Sequence, residues 1–269
     1  MDEIAALGLL EDETIELDSA ALQLAAPDHP GASLDPYLDL LGTITDRVGM
    51  VGEEARTSRD RAGALALIFA DEYGFRGDRQ TYDDPDNADL IRVIDRRRGL
   101  PVSLAILYAA AARRLGWTAE VLNTPGHVLM RVGSDADPLL LDPFNGGAVV
   151  GPERLAALLR GVLGPEVRPT NEHLAPLTNA AVLVRLLLNQ ATRAEAAGQP
   201  ERALELHRRI TAIAPSGGHG WWERARLELV GGDVPAARAS LSAMLEVTRD
   251  PAVRAHIFAA LDALSGAGS

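Results

Sequence analysis

Cysteine is absent from the 269 residues. That excludes a disulfide, a thiolate metal site and a cysteine nucleophile, and it fits a reducing compartment. Lysine is absent as well, so every basic side chain apart from histidine is an arginine. Positive charge is scarce, with 26 basic against 38 acidic residues and a net charge of −12. Phosphate backbones are held by basic surfaces, so nucleic acid is not an expected partner. No apolar run approaches the ~20 residues that span a bilayer, and the opening Met1-Asp2-Glu3 is acidic where a signal peptide is basic. The expectation is a cytoplasmic protein that does not engage a membrane.

Motifs for metals and phosphates are missing too. There is no H-E-x-x-H run, and the 6 histidines are scattered. Gly146-Gly147 follows a strand candidate but lacks the lysine and helix start of a phosphate loop. Neither metal nor cofactor is expected. What the chain does have is apolar residues, 47% of the total, enough for a sizeable core.

Residues 1–90 read as helical and acidic, broken by Pro27, Pro30, Gly31 and Pro36. A helix is predicted over 64–73 with Gly74 as its stop, then a polar surface loop over 74–86, then a helix over 89–97. Pro101 suits the first turn of the next helix, where its missing N–H costs nothing. Leu104, Leu107, Tyr108, Ala111 and Leu115 recur at steps of three and four, and the alanines at 109–112 allow close packing. This helix should be central and buried, ending at Gly116. Strands are predicted at 119–123, 127–132 and 139–142, the last two joined by a turn over 133–138. A buried helix followed by a run of strands indicates α+β organisation.

From Asn179 onward the pattern is helical again. Gly198-Gln199-Pro200-Glu201-Arg202-Ala203 aligns with Gly232-Asp233-Val234-Pro235-Ala236-Ala237 at an offset of 34 residues, the tetratricopeptide period. Two domains are expected, 1–165 and 176–266, with the boundary in the proline-bearing stretch 164–176.

Three polar residues stand out jointly. Ser103 falls in the first turn of the buried helix, where unpaired N–H groups and the helix dipole favour a developing anion. His127 is expected to begin the second strand, within about a residue of register from Asp142 on the third. A histidine beside an aspartate is how a triad orients its imidazole, and the order nucleophile, histidine, acid is the papain-like one. Each residue also has a structural explanation. Ser103 satisfies a helix-start donor, His127 packs at a strand end, and Asp142 initiates a turn before Pro143.

The residues around these three resemble the SirB family of transglutaminase-like proteins. The resembling segments are Phe75-Arg76-Gly77-Asp78, Tyr82-Asp83-Asp84-Pro85, Arg97-Arg98-Gly99-Leu100-Pro101-Val102-Ser103-Leu104, Leu107-Tyr108 and Arg113-Arg114-Leu115-Gly116. Asn123-Thr124-Pro125-Gly126-His127 and Leu141-Asp142-Pro143-Phe144-Asn145-Gly146-Gly147 complete the set. The resemblance implies a papain-like core, a buried helix on a small antiparallel sheet, followed by tetratricopeptide repeats. It places Ser103 at the position of the transglutaminase cysteine, with His127 and Asp142 as the other two catalytic positions. Thr124 and Val128 depart from the phenylalanines usual there.

Serine is not readily ionised, so it works only with a base in hydrogen-bond reach and an oxyanion hole. Three functions stay open on this reading. The first is a non-catalytic or weakly catalytic domain that binds a protein or peptide through its cleft and repeats. The second is a Ser-His-Asp hydrolase or acyltransferase of amide or ester bonds. The third is a pure helical-repeat scaffold.

Overall fold

A computed structural model describes residues 3–168 and 170–266. In chain order its elements are α1 (Glu3–Leu7), α2 (Leu17–Ala25), α3 (Asp35–Val51), α4 (Ser58–Ala66), β1 (Arg76–Gly77), α5 (Leu90–Arg96), β2 (Arg98–Gly99) and α6 (Pro101–Arg114). Then follow β3 (Ala119–Leu122), β4 (Leu129–Val132), β5 (Leu139–Asp142), β6 (Ala148–Val149) and α7 (Pro152–Leu163). The remainder is helical: α8 (Asn179–Ala196), α9 (Pro200–Ile213), α10 (Gly218–Val230), α11 (Val234–Val247) and α12 (Pro251–Gly266). The chain divides into two compact units, Asp12–Leu183, and residues up to Glu11 together with those from Val184. None of the described helices is long and apolar enough to cross a membrane.

The unit Asp12–Leu183 is built around α6. Every residue from Pro101 to Ala112 is buried, as expected of a helix with apolar or small residues on all sides. Helices α2 and α3 pack against it, as do β3 and β4. The sheet has the order β3-β4-β5-β6, all antiparallel. Its register puts Val121, Met130 and Leu141 on one face. Leu122, Leu129 and Leu140 take the other face, where they cluster with Leu155 and Leu159 of α7. Full burial of one such side chain contributes roughly 1.5–3 kcal/mol.

Several sequence expectations change in detail. The helix over 64–73 is α-helical only to Ala66 and continues as a π-helical turn over Leu67–Glu72. The wider turn sets Phe69 edge-on to Phe75 and stacks it on Tyr108, with centroids 4.5 Å apart in the second pair. The loop over 74–86 contains β1, which pairs in parallel with β2. The strand β6 had no periodicity of its own to reveal it, because a two-residue strand is too short for alternation. The predicted boundary stretch 164–176 does not end the unit. Its last residues and those just after lie along β3, with Asn123 N donating to Ala175 O (2.9 Å) and Leu177 N to Val121 O (2.8 Å). Asn179 then ties back to Asp12 through its backbone N (2.8 Å) and side-chain Nδ2 (2.7 Å).

In the other unit, α9, α10, α11 and α12 pack in succession, and α1 packs on α9. The two sequence blocks have matching geometry. Gly198 and Gly232 both take left-handed conformations, φ +70° and +78°. In each, the following residue bonds back across the helix end: Gln199 N to Ala194 O, and Asp233 N to Glu228 O. That is the Schellman pattern expected of glycine after a last helical turn.

Gly8 sits where a Cβ would lie 2.0 Å from the carbonyl oxygen of Ala212 on α9. Gly8→Ala is therefore expected to destabilise this unit by about 1–3 kcal/mol, since backbone has little room to move aside. Hydrogen exchange of the α9 amides in the full chain checks it, and unchanged protection would contradict the packing.

Candidate functional site

Ser103 lies on the first turn of α6, which Leu100 caps and Pro101 opens. The side chain is fully buried, at 0% exposure. Its Oγ donates to the carbonyl oxygen of Asn87 at 2.7 Å, and Leu100 N donates to the same oxygen at 3.0 Å. A hydroxyl has one proton, and here it is committed to a carbonyl that cannot act as a base.

The Asn87 loop is itself tightly tied. Asn87 Nδ2 donates to Thr81 O at 2.6 Å. Asp78 accepts from Gln80 N (3.0 Å), Thr81 N (2.9 Å), Thr81 Oγ1 (2.6 Å) and Arg96 (3.0 Å). Burial opposes its charge, but the hydrogen bonds from Thr81 and Gln80 prevail and hold the Asp78 carboxyl below its ordinary range. The Phe75–Asp78 and Tyr82–Pro85 segments thus fold the loop that Ser103 pins to the helix.

His127 is not on a strand. Strand β4 begins at Leu129, and the ladder that pairs Met130 with Leu141 would continue to Leu129 and Asp142. His127 instead sits in a turn closed by its own N–H on Thr124 O at 3.1 Å. Gly126 makes that turn possible, with φ +69° and a missing Cβ whose place lies 2.3 Å from Val162 of α7. The turn brings the imidazole back to the sheet edge, where Nε2 meets Asp142 Oδ1 at 2.9 Å.

Asp142 ends β5 with no exposure. Besides His127 it accepts from Asn145 N (3.2 Å), Asn145 Nδ2 and Arg154 (3.2 Å). Burial would raise its pKa; the His127 and Asn145 hydrogen bonds and the His127 charge outweigh that, so the carboxyl stays below its usual range. An ionised carboxylate only accepts, so the His127 Nε2 that meets it is the donor of this bond.

The structure thus joins His127 to Asp142 as the sequence order suggests, and gives the Ser103 hydroxyl another partner. It also adds residues. Phe144 stands edge-on to His127, with centroids 6.0 Å apart, and Tyr82 edge-on to Phe144 at 5.9 Å. A Cβ on Gly77 would come within 2.4 Å of the Phe144 ring, so β1 backs this aromatic row directly. Tyr82, Phe144 and Asn145 lie within the segments that carry the family resemblance, which by itself assigns them no role. Arg154 gave no sequence signal, because its role depends on α7 reaching the end of β5. Thr124 and Val128 are buried beside the His127 turn. Among the described residues no group of three or more histidine, aspartate or glutamate side chains could hold a metal ion.

The profile of the transglutaminase-like superfamily matches residues 35–188. A UPF0162 protein of Xylella fastidiosa (strain 9a5c) is 31% identical over 90% of this chain and 87% of that protein. The UPF0162 protein PA3419 of Pseudomonas aeruginosa is 32% identical, covering 92% of this chain and 90% of its own. Protein SirB1 of Salmonella typhimurium is 29% identical over 55% of this chain and 53% of that one.

Proposed function

This chain belongs to the SirB family of transglutaminase-like proteins, and from that premise we propose that its papain-like domain holds a polypeptide without cleaving or modifying it through Ser103. The helices from Pro200 onward serve, on this reading, as tetratricopeptide-like repeats that supply a second contact surface. The protein works in the cytoplasm, where a cysteine-free chain loses nothing to reduction.

One observation carries the reading: the Ser103 hydroxyl is fully buried and donates to Asn87 O at 2.7 Å. Breaking that hydrogen bond costs only about 1–3 kcal/mol, which by itself would slow a reaction rather than forbid it. Burial is the stronger barrier, since a substrate carbonyl must come within about 3–3.5 Å of the attacking oxygen. The two effects act together, because opening the helix start would release the whole Asn87 loop. The competing hydrolase reading rests on the His127–Asp142 pair. On the present reading that pair anchors the His127 turn to the end of β5, beside Phe144.

Wild-type protein is expected to resist a serine-reactive fluorophosphonate, giving no more labelling than Ser103→Ala. In the Ser103→Cys variant the thiol is expected to be shielded from iodoacetamide in the native chain and to react once urea unfolds it. Rapid labelling of the wild type that Ser103→Ala abolishes would establish the hydrolase or acyltransferase instead. Fast alkylation of Ser103→Cys near pH 6, slowed by His127→Ala, would point the same way, because an unassisted thiol of pKa ~8.5 is protonated there.

A further inference from the structure

The compact unit Asp12–Leu183 holds a cavity of about 330 Å³ whose charged lining is three arginines, Arg76, Arg79 and Arg98, with Phe144 and Asn145 beside them. Among the described residues no carboxylate lines it. That is unexpected in a chain of net charge −12. The backbone creates the concentration of charge: Arg76 and Arg98 are register partners on the parallel strands β1 and β2. Neighbouring strands lie about 4.8 Å apart, and like charges directly opposite each other are unfavourable. The fold tolerates this juxtaposition although other residues could pair there at no electrostatic cost.

The guanidinium groups are only partly engaged. Arg98 NH1 donates to the carbonyls of Gly74 and Arg97, each at 3.0 Å. Arg76 reaches Asp71 at 3.3 Å, in a pair whose side chains are 57% and 65% exposed, and such surface pairs hold weakly. Arg79 donates to Asn145 Oδ1. Each guanidinium has five N–H donors, so most of those around the cavity remain for a ligand. The Phe144 ring offers an apolar wall to a short aliphatic stem. Asn145 also donates to Asp142, so Arg79, Asn145, Asp142 and His127 form one hydrogen-bonded row that leads from the cavity to the His–Asp pair.

We propose that the Arg76/Arg79/Arg98 cavity is an anchoring subsite for a carboxylate side chain, glutamate or aspartate, of an acidic polypeptide. A planar guanidinium fork matches a carboxylate bidentately, and the space suits a side chain. The proposal takes from the preceding section only that the ligand is a polypeptide. Since it concerns binding, a catalytically competent Ser103 would leave it standing.

The test is fluorescence anisotropy with the full chain and a rhodamine-labelled hexaglutamate peptide, against a serine–glycine peptide of equal length. Hexaglutamate is expected to bind and the control peptide not to. The overall negative charge disfavours non-specific attachment, which makes the probe selective. Arg79→Gln and Arg98→Gln should each weaken binding about tenfold. Arg160→Gln, the same charge change at an exposed position on α7, should leave it unaltered. Equal weakening in all three variants would reduce the effect to net charge and overturn the subsite. Failure of hexaglutamate to bind overturns it as well. Inorganic phosphate binding tightly where hexaglutamate does not would assign the cavity to phosphate and overturn the carboxylate.

Discussion

Asp142→Asn is expected to lower the stability of the unit Asp12–Leu183 by about 3–5 kcal/mol at neutral pH, the range for breaking a buried, hydrogen-bonded charge pair. The carboxylate is fully buried and receives hydrogen bonds from His127, Asn145 and Arg154. An amide keeps one acceptor oxygen but removes the negative charge and sets an NH2 group among the donors that converge there from His127, Asn145 and Arg154. The pH dependence separates this from a packing effect. The folded-state pKa of Asp142 lies below its ordinary value, with burial opposing the shift and the His127 and Asn145 interactions driving it. A group depressed in this way contributes stability that is fully present above its unfolded pKa, about 3.9. That stability is lost as pH falls through the folded-state value. The urea midpoints of wild type and Asp142→Asn should therefore differ most at pH 7 and converge on acidification below about pH 4. A difference that is constant from pH 7 to pH 3 would mean that the charge of Asp142 contributes nothing.

Arg114→Ala should be of similar severity, though it is remote from the His127–Asp142 pair. Arg114 at the end of α6 grips Asp18 of α2 through two bonds, NH1 to Oδ2 at 2.5 Å and NH2 to Oδ1 at 2.7 Å. The Asp18 side chain is 2% exposed and that of Arg114 30%. Removing the arginine strands a carboxylate out of water, at a cost of about 3–5 kcal/mol. Its removal also takes away a polar tether between α2 and the helix that carries Ser103. Thermal denaturation followed by circular dichroism should show a melting temperature lower by roughly 10 °C. Adding Asp18→Asn to Arg114→Met removes both charges and should recover most of the loss. If the double variant is as unstable as Arg114→Ala, packing rather than the ion pair holds α2 in place.

The same two residues show what could be read in advance. Arg113-Arg114 was conspicuous as a segment, and the helix it ends was predicted over its full length, because 3.6-residue periodicity and a proline start are local signals. The order Ser103, His127, Asp142 was legible as well, and with it the prospect of a His–Asp contact. The partner of Arg114 lies 96 positions away in sequence, and no local pattern announces such a pairing.

The sequence by itself determined the α6 helix, the three main strands, the 34-residue offset of the two helical blocks and the exclusion of cysteine chemistry. These follow from periodicity, from glycine and proline, and from composition, all properties of short windows. Only the tertiary structure decided where the Ser103 proton goes, because Asn87 is 16 residues away and reaches it through a loop folded by Asp78 and Arg96. It likewise decided that His127 meets Asp142 from a turn rather than a strand, that α1 belongs with the C-terminal helices, and that three arginines share one cavity. Each of these is a matter of which distant backbone segments come to lie together, and that depends on the packing of the whole unit rather than on any residue's own preference.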